Sequence, residues 1–252
     1  KPYIIGVTGT VGKTTITTHI ATYLTHEFWK ENVMISPYHY NGEFWLPLSI
    51  IVAKTGWKNP LLWIYVFFQA IFRLFRSYPR YLILEYGIDH PWEMDFLLSI
   101  ARPDIAIITP IAPNHLEQFG TFDRYRNEKL ILASWAKRLI AYEGLRQYID
   151  RDAIYYSTGG MSDIDASHMH MSIDGVRATI HLRESDYSIH IPAFWAYQVE
   201  NILPLYAVAD ILGLDPAHIS EFGNEFVPEA WRSSILQWKW KSVIIDGSYN
   251  GW

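Results

Sequence analysis

Apolar residues in this chain fall into short continuous runs separated by sets spaced at three and four residues. The run Tyr3 to Val7 reads as a buried strand, and Ile16, Ile20 and Leu24 then recur at helical spacing behind a glycine turn. A short strand is expected at Val33 to Ile35, followed by a polar and aromatic loop, "SPYHYNGEFWLP". Two further buried strands, "YLILEYG" and "DIAIITP", flank the helical "PWEMDFLLSIA", whose Pro91 suits a first helical turn. A helix over "FDRYRNEKLILASWAKR" and a strand at "LIAYEG" complete an alternation that implies a parallel sheet.

The pattern changes near Thr158, where short alternating runs take over. Asp174-Gly175 between two strand-like runs is the strongest hairpin signal in the chain and predicts an antiparallel extension. A helix from about Tyr197 to Leu212 should stop before Gly213, with a shorter one after Asp215-Pro216. The last run, "SSILQWKWKSVIIDGSYN", reads as a terminal hairpin. The stretch Leu61 to Phe72, "LLWIYVFFQAIF", is apolar almost all round but too short for a bilayer, which needs ~20 residues. A buried helix packed in the core or between domains is the expectation; an interfacial helix flanked by Lys58, Arg73 and Arg76 is the alternative.

Composition narrows the chemistry. With 252 residues, half of them apolar, one α/β domain with a full core is expected. The absence of cysteine removes disulfide frameworks, thiolate zinc sites and thiol nucleophiles. A net charge of −5 without a basic cluster argues against nucleic-acid binding, so any bound phosphate must be held locally. His168 and His170, with His181 and His190 on neighbouring strands, read as a solvated strand face rather than a zinc cluster, because no acid or thiol accompanies them at fixed spacing. Lys1 at the start and Trp252 at the end suggest a piece of something longer.

The chemistry concentrates in "GVTGTVGKTT", Gly6 to Thr15. A strand, a glycine turn and a helix start aim backbone N–H groups and the positive helix end at an anion. Gly9, Thr10, Gly12 and Thr15 would form the phosphate cradle, Lys13 would reach the terminal phosphates, and Thr14 would offer its hydroxyl to Mg²⁺. The eight-residue phosphate-loop pattern requires glycine where this chain has Val7. The variant loop resembles that of the Mur ligase family, and the resemblance continues through "LILEYGIDHPWEMDFLLSIARPDIAIITPIAPNHLEQFGTFDRYRNEKLIL", "YQVENILPLYAVADILG" and "IIDGSYN". "YNGEFWLPLSII" and "DGSYN" are most similar to the branch of the family that adds D-alanyl-D-alanine.

The resemblance implies a P-loop α/β fold, a parallel sheet flanked by helices with a small antiparallel extension. Residues 1–252 would be the central ATP-binding domain, with the N-terminal substrate domain and the C-terminal domain outside the chain. It implies ATP-dependent amide ligation through an acyl phosphate in the bacterial cytoplasm, on a UDP-muramoyl peptide and an amino acid or D-Ala-D-Ala, in peptidoglycan precursor synthesis. Two Mg²⁺ ions are implied: Glu85 would join Thr14 on the first, while His115 and a CO₂-carbamylated Lys129 would hold the second. Elsewhere such a histidine would read as a solvated loop residue, and such a lysine as the surface of an amphipathic helix. Asn201 matches an adenine contact, Arg232 a phosphate arginine, and Asp246 and Asn250 a nucleotide-binding hinge. The chain departs from the family at Pro110, Tyr197 and Gly247. A folylpolyglutamate synthase-like or cyanophycin synthetase-like ligase, or a non-catalytic ATP-binding module, are the rival readings.

Overall fold

The first apolar run forms β1 (Tyr3–Thr8), which leads through the glycine turn into α1 (Lys13–Phe28) and β2 (Val33–Ile35). This computed structural model describes residues 1–35, 45–53, 55, 58–75, 77–227, 234–237 and 243–246, in two compact units, Lys1–Leu139 and Ile140–Trp252. The first unit continues with α2 (Trp45–Ile51), α3 (Pro60–Leu74), β3 (Tyr81–Glu85), α4 (Glu93–Ile100), β4 (Ile105–Ile108), α5 (Leu116–Phe119) and α6 (Phe122–Trp135). Its sheet is parallel in the order β2-β3-β1-β4, with Val7 opposite both Glu85 and Ile107. Because the order reverses at β1, the crevice beyond its carboxyl end is where an open α/β sheet takes a ligand. β3 and β4 are buried throughout, and Ile16, Ile20 and Leu24 of α1 are fully buried at helical spacing.

β5 (Arg138–Tyr142) begins just before the division and lies mostly in the second unit, which continues with β6 (Ile154–Tyr156), β7 (Ile164–Ser172), β8 (Gly175–Leu182) and β9 (Ser185–Ile191), then α7 (Tyr197–Glu200), α8 (Leu203–Leu212) and α9 (Ala217–Glu221). β5, β6 and β7 pair in parallel, while β7-β8-β9 is the antiparallel extension, turned at Asp174-Gly175. β10 (Ser234–Gln237) and β11 (Val243–Asp246) form the antiparallel terminal pair.

Several local expectations change. The single helix over Tyr197 to Leu212 is two, because Pro204 in the first turn of α8 has no N–H to give the Glu200 carbonyl. α4 starts at Glu93 rather than at Pro91: the Glu93 carboxylate accepts from the Asp89 and His90 amides at 2.6 and 3.0 Å and holds the preceding residues in a turn. α6 ends at Trp135, and Arg138 already belongs to β5. Trp45 to Pro47 are helical, with Pro47 in a first turn where no intrahelical N–H is needed. The largest change is α3, which is not a buried helix: Val66 is buried against Leu48 and Ala53, but most of its other side chains face solvent. Among the described residues, no helix is long and apolar enough to cross a membrane.

One buried group sets an acid limit on the fold. His19, on the inner side of α1, is pushed down to about 3 from an ordinary 6.5 by burial. The unfolded chain therefore binds more protons than the native one between these values, so stability falls as the pH drops through 6.5 towards 3. His19→Leu is expected to flatten that limb of a denaturant-midpoint curve measured against pH. An unchanged limb would show that other groups set it.

Candidate active site

The turn between β1 and α1 is built on two glycines in conformations that side chains resist. Gly12 caps α1 with φ 84°, and Gly9 has φ 138°. A Cβ at Gly9 would overlap the Thr109 hydroxyl, so Gly9 also lets the turn approach the end of β4. Pro110 accepts from the amides of Thr10 and Val11 at 2.9 and 3.4 Å. These bonds use only the backbone carbonyl, which explains how a proline fits there. The Thr109 hydroxyl donates to the Val11 carbonyl at 2.6 Å, and Thr10 Oγ1 bridges to the Ala112 backbone at 3.1 Å. α1 carries no side-chain cap, and the amides of its first turn, Lys13 to Thr15, have no intrahelical acceptor, the geometry that receives an anion. The Lys13 ammonium donates to the Gly9 carbonyl at 3.1 Å.

Directly beyond this turn, the Thr14 hydroxyl donates to Glu85 Oε2 at 3.3 Å, and Thr17 Oγ1 lies 3.2 Å from Glu85 Oε1. Glu85 is thus a buried carboxylate at the carboxyl end of β3, held against the first turns of α1. His115 sits in the loop after β4, in the left-handed region with φ 50°, and caps α5. A non-glycine residue there is strained, which fits a side chain aimed by its surroundings. Its Nε2 is 3.3 Å from Asp89 Oδ1, in the loop after β3, so it has an acidic neighbour rather than solvent alone.

Lys129 is 1 % exposed. It shares the inner face of α6 with Tyr125, Leu132 and Ala133, each one turn away, and its Nζ lies 4.8 Å from the Tyr125 ring centre. It is therefore not a surface lysine. Burial, chiefly, and then the Lys13 charge hold its proton affinity well below the usual lysine range, while Asp89 and Glu93 pull the other way. Those influences tie the residues together: Lys13, Asp89, Glu93 and Lys129 share one field, Asp89 reaches His115, and Thr14 with Glu85 lies at the same turn as Lys13.

Sequence reasoning missed Thr17, Asp89, Glu93 and Tyr125. Thr17 has a readable signal, since it stands three residues after Thr14 on the same helix face, and Tyr125 stands one turn before Lys129. Asp89 and Glu93 become site residues only through packing. Asn201, in the second unit, is buried at the end of α7 with its amide 3.4 Å from Gln198 Oε1. Asp246 closes β11, while Arg232, Gly247 and Asn250 lie outside the described residues. On the extension, His181 pairs with Asp186 at 2.6 Å and His190 with Asn224 at 2.7 Å, so these histidines engage separate partners. Among the described residues, no three of His, Cys, Asp and Glu are grouped to hold a metal.

Compared with known proteins, residues 7–212 match the Mur ligase middle domain. The UDP-N-acetylmuramoyl-tripeptide–D-alanyl-D-alanine ligase of Haemophilus influenzae is 25% identical, the match covering 99% of this chain and 52% of that protein. The enzyme of the same name from Bacillus subtilis is 23% identical, covering 98% and 50%. Among solved structures, MurF from Acinetobacter baumannii aligns with a TM-score of 0.78 at 20% identity, over 99% of this chain and 51% of that one. MurF from Thermotoga maritima in complex with ADP gives 0.77 at 24% identity, over 100% and 54%. These structures establish the shared fold. The chain spans about half the length of the curated relatives it matches.

Proposed function

Because this chain belongs to the Mur ligase middle domain family, we propose that it is the central ATP-binding part of a carboxylate–amine ligase whose substrate domains lie elsewhere in the full protein. The reaction is amide formation in two steps. The acceptor carboxylate takes the γ-phosphoryl group and releases ADP; the amine then attacks the acyl carbon, phosphate leaves, and the amine proton passes to water or a base. In this reading the amides of α1 and the Lys13 ammonium hold and neutralise the terminal phosphates. Arg232 adds a further phosphate contact, and Asn201, Asp246 and Asn250 serve the nucleoside end.

The residues fit a hard divalent cation. The Thr14 hydroxyl and the buried Glu85 carboxylate are a pair of oxygen donors at a phosphate-binding turn, the chemistry Mg²⁺ selects. Thr14 and Glu85 would hold one Mg²⁺, and His115 with Lys129 in its carbamate form a second. Bound there, the metal would supply charge neutralisation between phosphate and carboxylate. The carbamate needs a neutral amine, whose lone pair adds to the carbon of CO₂ with loss of one proton, turning a cation into an oxygen ligand.

The observation that carries the reading is Lys129, buried on the inner face of α6, its proton affinity lowered by that burial and by the Lys13 charge. A module that only binds ATP has no use for it. The relatives' names support a UDP-muramoyl peptide as acceptor and D-alanyl-D-alanine as amine, and their organisms a bacterial setting; a cytoplasmic location is part of the same proposal. The test is ADP and phosphate release by the full-length protein. Release is expected only when a UDP-muramoyl tripeptide and D-alanyl-D-alanine are both present. Release with D-glutamate instead would reassign the amine, and ATP binding without turnover on any acceptor would favour the non-catalytic module.

A further inference from the structure

Helix α3 is turned inside out. Gln69 and Arg73, its amide and its cation, are partly buried, and the Arg73 guanidinium points back to Met34 Sδ at 3.0 Å and over the Tyr78 ring. Facing outward are Leu61, Ile64, Tyr65, Phe68, Phe72 and Phe75, between 52 and 83% exposed. They recur at the three- and four-residue steps of one helix face, opposite buried Val66. The apolar surface continues into an open groove of about 490 Å³ lined by Leu48, Ile51, Trp63, Phe67 and Phe96. An exposed apolar patch of this extent marks an interaction surface.

Charge says which kind. Residues 45–84 contain Lys54, Lys58, Arg73, Arg76 and Arg80 and no aspartate or glutamate, in a chain of net −5. Of these, Lys58, just before α3, is exposed, as is Arg80, beyond its end, whose guanidinium lies over the Phe28 and Tyr81 rings; Arg73 is turned inward, and Lys54 and Arg76 lie outside the described residues. We propose that this apolar face, flanked by cations, docks the protein on an anionic lipid surface, with α3 lying in the plane of the headgroups. Its 15 residues extend about 22 Å, shorter than a bilayer core, so it lies on the membrane rather than crossing it. Tyr65 and Trp63 suit the headgroup boundary and the phenylalanines the acyl region beneath. A second copy of the chain is a poorer occupant, because a two-fold interface would set this acid-free basic segment against itself.

The proposal does not rest on the ligase reading. Its test is co-sedimentation of the full-length protein with vesicles of phosphatidylcholine alone or mixed with phosphatidylglycerol. Pelleting is expected with the mixed vesicles, at least tenfold weaker with phosphatidylcholine alone, and weakened by raised salt. Phe68→Glu with Phe72→Glu should abolish it while leaving circular dichroism and ATP binding unchanged, since both side chains already face solvent. No pelleting, equal pelleting with both lipids, or self-association that the double variant removes without any lipid binding would each overturn it.

Discussion

Lys129→Met is expected to raise the melting temperature and abolish ligation. In the native protein the amine is buried and held well below its usual proton affinity, a burial that costs stability because the unfolded chain hydrates and protonates it. Methionine fills similar volume without that cost, and for a domain of this size each kcal/mol regained raises the midpoint by about 2–4 °C. Turnover should fall by about 10²–10³ or more, the scale of losing one charge-stabilising group, whereas ATP affinity changes little because the glycine turn and Lys13 are intact. Lys129→Ala leaves space, and small carboxylic acids should then restore part of the rate. The two readouts, calorimetry and turnover, are expected to move in opposite directions. Near-normal turnover in either variant would remove Lys129 from the chemistry, and a lowered midpoint for the methionine variant would show that the amine stabilises the fold.

Glu85→Gln carries the second large effect. Glutamine keeps the shape of the side chain; its carbonyl can still accept from one of the Thr14 and Thr17 hydroxyls while its NH2 donates to the oxygen of the other, so stability should change by less than about 1 kcal/mol. It removes the negative charge that would hold Mg²⁺ with Thr14. Turnover is expected to drop by about 10²–10³, and the Mg²⁺ concentration for half-maximal rate to rise. If Glu85 only anchors α1 to β3, the variant should turn over normally at low Mg²⁺. Thr17→Val separates these roles further, since it removes a neighbour of Glu85 and leaves the Thr14 hydroxyl in place; only a modest loss is expected.

The parallel core and the phosphate turn are legible in the sequence because their signals are local. A strand-length apolar run, glycines where φ is positive, and a lysine–threonine pair at a helix start specify the turn without knowledge of the rest of the chain. The hairpin at Asp174-Gly175 is legible for the same reason. α3 is not, since a helix apolar all round reads alike whether a core or a membrane covers it, and it is the burial of Val66 with the partial burial of Gln69 and Arg73 that shows its orientation. The site is partly legible. Thr14 is read from the phosphate loop itself and Glu85, His115 and Lys129 are reached through the family resemblance, whereas Asp89 and Glu93 depend on how the loop after β3 folds against α4 and α6. The division of the helix at Pro204 is visible in the sequence but outweighed by the apolar periodicity around it.

The central claim is that the acceptor carboxylate attacks ATP and is then displaced by an amine. The most direct measurement labels that carboxylate with ¹⁸O and analyses the inorganic phosphate released by the full-length protein in the presence of amine. Passage through an acyl phosphate transfers one labelled oxygen to each phosphate formed. Phosphate without label, with amide product accumulating at the same rate, would contradict the account.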